Sequence, residues 1–388
     1  MTTTDISLAL LLGPQLRAFV QAGFDVVGIS APGPFVEQIE SLGVGHIPLR
    51  HATRSLALRS DLRAFGELYR IFRSIRPDIV HTHNPKPGIY GRFAAAAAGV
   101  PAVVNTVHGL YATEDDAIAR RAAVYSLERL AASCSDAELV QNPEDLTKLR
   151  QLRVPPGRLH LLGNGIDLLR FSKGPQFEVW REQVRAELGA TTETVVVTAV
   201  GRLVWEKGYA ELFEAARAVM ELHGEAMFVV AGPPEPSKGD GISPAALDAA
   251  ARSGVRFLGH RDDIERLYAA SDIYVLASHR EGFPRSAMEA AAMGLPILAT
   301  DIRGCRQVIE DGLTGYLLPP RNASRLAERI AGLISHPVAR EQMGTAAAAK
   351  AKREFDQEEV IRLTLDVYRN LLGRRALAQS RNDFPAHW

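Results

Sequence analysis

The stretch REGFPRSAMEA, residues 280–290, sets two carboxylates, Glu281 and Glu289, around a Gly-Phe-Pro turn that leads into a helical run. Pro284 suits the first position of that helix. The free N–H groups of a helix start, together with its dipole, favour an anion there. Carboxylates at such a place repel a phosphate unless they point past it to hydroxyls on either side. A sugar nucleotide presents such hydroxyls, on its ribose and on its sugar, flanking a diphosphate. Acid enrichment at a helix start accounts for Glu281 without any ligand, but accounts less well for Glu289, about one and a half turns in. A second stretch, GRLVWEKGY at 201–209, follows the run TVVVTAVG. It places Arg202 and Lys207 where two cations can grip a diphosphate, and Gly201 and Gly208 allow close backbone approach. On its own, a basic pair in a loop more often ends in a surface salt bridge.

These residues need a scaffold, and the chain spells one out. Short apolar runs at 25–30, 78–83, 102–108 and 137–142 alternate with helical stretches, and a second series follows at 194–201, 227–232, 255–260, 272–278 and 295–301. Continuous apolar strands alternating with helices imply parallel sheets covered on both faces. The rhythm breaks near 165–193, so the expectation is α/β, with two doubly wound domains joined around 165–190 and a cleft between them. Ligands of such sheets bind beyond the carboxyl ends of the strands.

The start departs from this rhythm. Residues 6–23 read as a helix ending at Gly23, with Asp5 as N-cap and a kink at Gly13-Pro14. Too few residues precede it for a full strand, so either the first strand is vestigial or the true start lies upstream. On a helix near 58–75, Arg59, Arg63, Arg70 and Arg73 fall in one stripe at about 100° per residue, with Leu58, Leu62, Phe65, Leu68, Phe72 and Ile75 on the other side. A charged stripe of this kind is usually a solvated face; the alternative is a surface that leans on anionic lipid headgroups. The tail 374–388 lacks periodicity and is expected to be frayed.

Composition narrows the classes. The 388 residues contain 46% hydrophobic and 23% charged side chains, with 45 basic balancing 45 acidic ones. That balance argues against nucleic acid as a partner. Cys134 and Cys305 stand far apart and form no ligand pattern, which suits a reducing cytoplasmic compartment. The longest apolar stretch, at 93–104, is too short to span a bilayer, and no secretory leader is recognisable. His81 and His83, in the strand DIVHTH, are expected on opposite faces with no carboxylate nearby, so a metal is not expected there. Lys86, in a proline-bounded loop, either meets an acceptor phosphate or is simply solvated. No D-x-D triplet occurs anywhere, so the cationic work falls to Arg202, Lys207 and the helix start rather than to a metal or other cofactor.

Taken together, GRLVWEKG, FLGH, the E-x7-E pair in EGFPRSAMEAAAMGLPILATD, RGCRQVIEDGLTGYLLPP, HTHNPKPGIYGRFAAAAAGVPAVVNTVHGL and LLGNGIDLLRF resemble the retaining GT-B glycosyltransferases of family 4, the glycosyl transferases of group 1. The resemblance covers roughly residues 5–370. It implies two Rossmann-like domains: an N-terminal acceptor domain over 1–165, with a C-terminal helix near 357–372 packing back on it, and a nucleotide-sugar donor domain over 166–356. It further implies that Arg202 and Lys207 hold the donor diphosphate and that Glu281 contacts the transferred sugar. Glu289 takes the ribose hydroxyls, Gly282 and Phe283 offer backbone N–H groups, and Leu258 and His260 line the base pocket. His108, before Gly109, matches a histidine near the reacting centre. Members usually carry a first strand and a Gly-rich loop where TTTDIS stands here.

The expected activity is metal-independent transfer from a nucleotide-diphosphate sugar with retention. The HTHNPKPG and NTVHGL forms resemble members that build bacterial surface polysaccharide on polyprenyl-diphosphate carriers, working in the cytoplasm or peripherally at the inner membrane face. A same-fold transferase with a small soluble acceptor is the principal alternative. A sugar-nucleotide epimerase and a non-catalytic sugar-nucleotide sensor are the others.

Overall fold

The structure is a computed structural model. It describes residues 1–52, 58–83, 85–112, 116–235 and 239–382, with 58, 85 and 375–382 as backbone alone. The chain divides into two compact units, Met1–Gly163 with Glu358–Trp388, and Asn164–Gln357.

In the first unit, α1 (Gly13–Gln21), β1 (Val27–Ser30), α2 (Val36–Glu40), β2 (Gly45–Pro48), α3 (Leu58–Ile75), β3 (Ile79–His83) and α4 (Pro85–Ala98) lead into β4 (Ala102–Val107), α5 (Ile118–Ala132), β5 (Ala137–Val140), α6 (Pro143–Gln151) and β6 (Leu159–Leu161). All strands pair in parallel, β1 with β2 and β3-β4-β5-β6 in order. Strands buried on both faces are apolar at most positions, and β4 and β5 are buried throughout, with Asn105, Thr106 and Glu138 as their polar members. Leu8, Leu16, Phe19, Ile39 and Leu139 fill the core on one side, while Leu68, Phe72, Ala94 and Val103 fill it on the other.

The N-terminus differs from its expected form. Met1–Thr4 runs extended and bonds on both sides. The Thr2 N–H donates to Ile29 O and the Ala31 N–H to Thr3 O, while the Met1 amine donates to His81 O and the His83 N–H to Met1 O. This short segment thus links β1 to β3. A cavity of about 350 Å³ lies alongside, lined by Leu8, Leu16, Phe19, Ile29, Phe72 and Tyr368 among others. The anticipated helix over 6–23 is two pieces, a wide turn at Ser7–Leu11 and α1, because Gly13-Pro14 breaks the bonding. Asp5 does not cap it; its carboxylate accepts from the Phe35 N–H at 2.8 Å.

The second unit contains α7 (Phe177–Leu188), β7 (Val195–Val200), α8 (Tyr209–Leu222), β8 (Ala226–Ala231), α9 (Pro244–Arg252), β9 (Arg256–Phe257), α10 (Ile264–Ala270) and β10 (Ile273–Leu276). It continues through α11 (Arg285–Ala292), β11 (Ile297–Thr300), β12 (Gly315–Leu318), α12 (Ala323–Ser335) and α13 (Pro337–Glu354). Its sheet is parallel, in the order β12-β11-β10-β7-β8-β9. That order makes β7 and β10 neighbours although 72 residues lie between Val200 and Ile273, so the loops that follow the two strands emerge side by side. Asp272 locks this pairing: it accepts from the Val196 N–H at 2.8 Å and pairs with Arg181 and Arg185 of α7. The chain then enters α14 (Gln357–Asn382), which returns it to the first unit. There the Tyr368 ring sits 5.1 Å from Phe19 and 5.7 Å from Phe24. Burial of a side chain of this size stabilises by about 2–3 kcal/mol. Helix thus continues into the stretch expected to be frayed, whose last residues, 383–388, lie outside the described ones.

Candidate functional site

The chain leaves β7 through Gly201 and Arg202 and makes a single tight turn at Trp205–Lys207 before α8. Gly208 adopts φ +72°, and a Cβ there would fall 1.9 Å from Ala277 O at the end of β10. Only glycine permits that approach. It brings the β7 loop against the β10 loop, and Lys207 Nζ reaches Glu281 Oε1 at 2.6 Å. Both side chains are largely buried, which strengthens the pairing. The Tyr209 hydroxyl donates to Gly201 O at 2.9 Å and so fixes the turn. Arg202 is exposed and pairs with Glu235 at 2.8 Å.

Residues 280–284 cross from β10 to α11. Pro284 is the N-cap residue, one place earlier than expected, and α11 begins at Arg285. The turn is held from two sides. Asn164 Nδ2 donates to Phe283 O at 3.2 Å, and Gly304 packs so close that a Cβ would lie 2.6 Å from Glu281 O. Further along the helix, the Tyr268 hydroxyl donates to Glu289 Oε2 at 3.4 Å, and the Tyr274 hydroxyl donates to Ser286 Oγ at 2.7 Å. Burial holds the Glu289 carboxyl above the usual range, despite the opposing pull of Arg285 and Arg170. Burial likewise raises the Cys305 thiol, next to Gly304, so that it stays protonated. Leu258 is half-buried at the end of β9, its N–H donating to Val230 O, while His260 is exposed beside Asp262 at 3.0 Å.

In the first unit the histidines correct the expectation. Side chains in a strand repeat every two residues, so His81 and His83 share one face rather than opposing faces. Their rings lie 4.0 Å apart. His81 is engaged by the Tyr368 hydroxyl at Nδ1 (2.5 Å) and the Thr106 hydroxyl at Nε2 (2.7 Å). His83 Nδ1 lies 3.1 Å from His108 Nε2, and His108 Nδ1 lies 3.1 Å from Gln141 Oε1. Burial lowers all three histidines, His108 to about 4. Among the described residues no group of three or more His, Cys, Asp or Glu is disposed to hold a metal ion.

Lys86 is also placed differently from its expected loop. Pro85 opens α4 instead of bounding a loop, and Lys86 in its first turn pairs with Asp61 of α3 at 2.5 Å. On α3 the four arginines of the stripe are exposed, and Leu68 and Phe72 are buried as expected. Leu62 and Ile75 are not on the packed side: they are 63% and 40% exposed. The Leu58 side chain lies outside the described residues. Several partners escaped the sequence reading: Gln141, Tyr268, Tyr274, Asp61 and Glu235. Gln141 had a signal. The register Val107↔Val140 sets the residue after β5 beside His108, the residue after β4.

With this geometry in view, the comparisons place the chain. The profile of the Glycosyl transferase 4-like domain matches residues 12–165, and that of Glycosyl transferases group 1 matches residues 181–350. An Escherichia coli UDP-Gal:alpha-D-GlcNAc-diphosphoundecaprenol alpha-1,3-galactosyltransferase is 34% identical over 269 residues, 68% of each chain. A Campylobacter jejuni N,N'-diacetylbacillosaminyl-diphospho-undecaprenol alpha-1,3-N-acetylgalactosaminyltransferase is 26% identical over 364 residues, 92% of this chain and 93% of that one. In fold the chain resembles Anabaena HepE solved with UDP, at TM-score 0.76 and 19% identity over 95% and 98% of the two chains. It also resembles WaaG, a glycosyltransferase involved in lipopolysaccharide biosynthesis, at TM-score 0.70 and 18% identity over 92% and 94%. The chain belongs to the glycosyl transferases of group 1. It is a glycosyltransferase with two Rossmann-like α/β domains of the GT-B fold.

Proposed function

We propose that this chain moves a sugar from a nucleotide-diphosphate sugar to a polyprenyl-diphosphate-linked saccharide, retaining the anomeric configuration and using no metal. The observation that carries the donor assignment is the partly buried contact of Lys207 with Glu281, at 2.6 Å, between loops leaving adjacent parallel strands. A lysine held there meets the diphosphate, with Arg202 as the second cation once it leaves Glu235. Glu281 then accepts from a hydroxyl of the transferred sugar and Glu289 from the ribose. The backbone of Gly282 and Phe283 approaches the sugar or phosphate, and Leu258 and His260 border the base. The acceptor belongs to the first unit, where His108 is the residue assigned to the reacting centre.

In the chemical step the bond from the anomeric carbon to the diphosphate oxygen breaks. The acceptor oxygen bonds to that carbon on the same face, and its proton passes to the departing phosphate oxygen. The dominant contribution is electrostatic: preorganised cations stabilise charge on the leaving group without reorganising. The acceptor class rests on the relatives from Escherichia coli and Campylobacter jejuni, whose names specify diphosphoundecaprenol-linked saccharides. The exposed arginines of α3, flanked by exposed Leu62 and Tyr69, suit the surface of an anionic inner leaflet, where such an acceptor resides. Among the described residues no helix is long and apolar enough to cross a membrane.

The test is a panel of nucleotide sugars, screened by thermal shift, followed by transfer to a synthetic polyprenyl-diphosphate saccharide. One donor should raise the melting temperature and yield an extended product whose anomeric configuration matches the donor. An epimerised donor without any transfer product, or transfer confined to small soluble acceptors, overturns the proposal.

A further inference from the structure

Three histidines, a glutamine, a threonine and a tyrosine meet at the carboxyl ends of β3, β4 and β5, and their hydrogen bonds leave little freedom. Gln141 follows β5 and is almost fully buried. Its Oε1 is only an acceptor, so His108 must donate through Nδ1–H across the 3.1 Å between them. A neutral imidazole carries one proton, so Nε2 of His108 is a lone pair. The group facing that lone pair is His83 Nδ1, at 3.1 Å, and it can only be the donor. The order is therefore His83 Nδ1–H to His108 Nε2, and His108 Nδ1–H to Gln141 Oε1. His81 is fixed separately by Tyr368 and Thr106. Among the described residues, the charged or titratable groups that act on these rings are one another, the Met1 amine and the Tyr368 hydroxyl. Burial lowers that amine to about 5, and it donates to His81 O. None of these is an anion that would hold a protonated imidazole.

We propose that His83 is a positioning residue that, with Gln141, holds His108 in the Nδ1–H form, so that His108 Nε2 meets a substrate hydroxyl only as a hydrogen-bond acceptor. This rests on the assignment of His108 to the reacting centre. The consequence is a swap: in the free protein His83 occupies the lone pair, and an arriving hydroxyl takes its place as donor. Without His83 the Gln141 amide can turn its NH2 toward Nδ1, so the second tautomer becomes accessible, and its Nε2–H would oppose the hydroxyl proton instead of accepting it. His83 is 4% exposed, too little to reach substrate from its present position, so its effect runs through His108.

The experiment labels the histidine rings with ¹⁵N and reads long-range couplings at pH 7.5. The parent, His83→Phe, His83→Asn and Gln141→Glu proteins are compared, each checked for folding by its melting transition. In the parent, His108 should show a protonated Nδ1 and an unprotonated Nε2. His83→Phe should give mixed tautomers and lower kcat by about 10-fold with donor KM little changed, as losing one hydrogen bond made in the transition state does. His83→Asn, whose amide can still donate, should restore the single tautomer and part of kcat. Gln141→Glu should keep Nδ1–H and move the acidic limb of the kcat profile upward in pH. An Nε2–H tautomer in the parent, or a tautomer and kcat untouched by His83→Phe, overturns the proposal. The tautomer is read without turnover, so an enzyme inactive on the chosen substrates refutes the reaction assignment and leaves the His83 assignment separately decided. Should His83→Phe fail to fold, the His83→Asn and Gln141→Glu readings still decide it.

Discussion

Replacing Arg92 by methionine should cost the first unit a large part of its stability. Arg92 projects from α4 with its side chain 1% exposed, and it grips Glu138 Oε1 and Glu128 Oε1, each at 2.7 Å. Its Nε donates to Gly88 O in the first turn of the same helix. The other oxygen of Glu138 accepts from Asn105 Nδ2 at 2.7 Å, and Asn105 Oδ1 accepts from the Thr82 hydroxyl at 2.7 Å. One guanidinium thus ties α4 and α5 to β3, β4 and β5, on the sheet face opposite His81, His83 and Thr106. Methionine fills the aliphatic volume but leaves Glu138, which has no exposed surface, without its cation. Breaking a buried pair from one side costs about 3–5 kcal/mol. For a unit of this size that is a fall in melting temperature of about 10 °C, at about 2–4 °C per kcal/mol. Scanning calorimetry at pH 7.5 reads it directly. Adding Glu138→Gln to Arg92→Met should recover part of the loss, because the orphaned charge is then gone. A single Arg92→Met variant melting within about 2 °C of the parent would refute the reasoning.

Three further outcomes follow from particular contacts. Burial lowers His81, His83 and His108, so the unfolded chain takes up protons below about pH 6.5 that the folded chain refuses. The stability they protect is present above that pH and is lost on acidification, by about 1.4 kcal/mol per histidine at pH 5.5; urea midpoints that do not fall between pH 7.5 and 5.5 contradict this. Gly208→Ala forces a Cβ to within 1.9 Å of Ala277 O at φ +72°, so unfolding of the second unit should come at least about 3 kcal/mol sooner, with weaker donor binding; an unshifted melting transition counts against the close approach. Replacing Arg59, Arg63, Arg70 and Arg73 by glutamine should abolish flotation with anionic liposomes and spare flotation-independent donor binding; unchanged flotation removes α3 as the membrane face.

The strands were readable because parallel sheets covered on both faces favour near-continuous apolar runs, and TVVVTAVG and DIYVLAS become β7 and β10. What periodicity does not reveal is which strands are neighbours. The pairing of Lys207 with Glu281 depends on the order β10-β7 and on one glycine, information carried by topology and a backbone angle rather than by local pattern. Lys86 shows the opposite difficulty. Prolines on both sides suggest a loop, yet proline is also at home in the first turn of a helix, and α4 starts there. His81 and His83 stand two residues apart in one strand and so share a face, which is what lets their rings approach each other. Asp5 had the chemistry of an N-cap, but the Phe35 N–H competes for its carboxylate, and no local rule anticipates a partner 30 residues away.

The central claim is that Lys207 grips the donor diphosphate. It is tested most directly by the turnover of Lys207→Ala with the donor that stabilises the parent. Loss of one preorganised charge at a leaving group should lower kcat by about 100-fold or more. Because Lys207 is partnered by Glu281, the variant should also bind the nucleotide diphosphate more weakly while remaining folded. A folded Lys207→Ala protein with parental turnover and parental affinity would contradict the account.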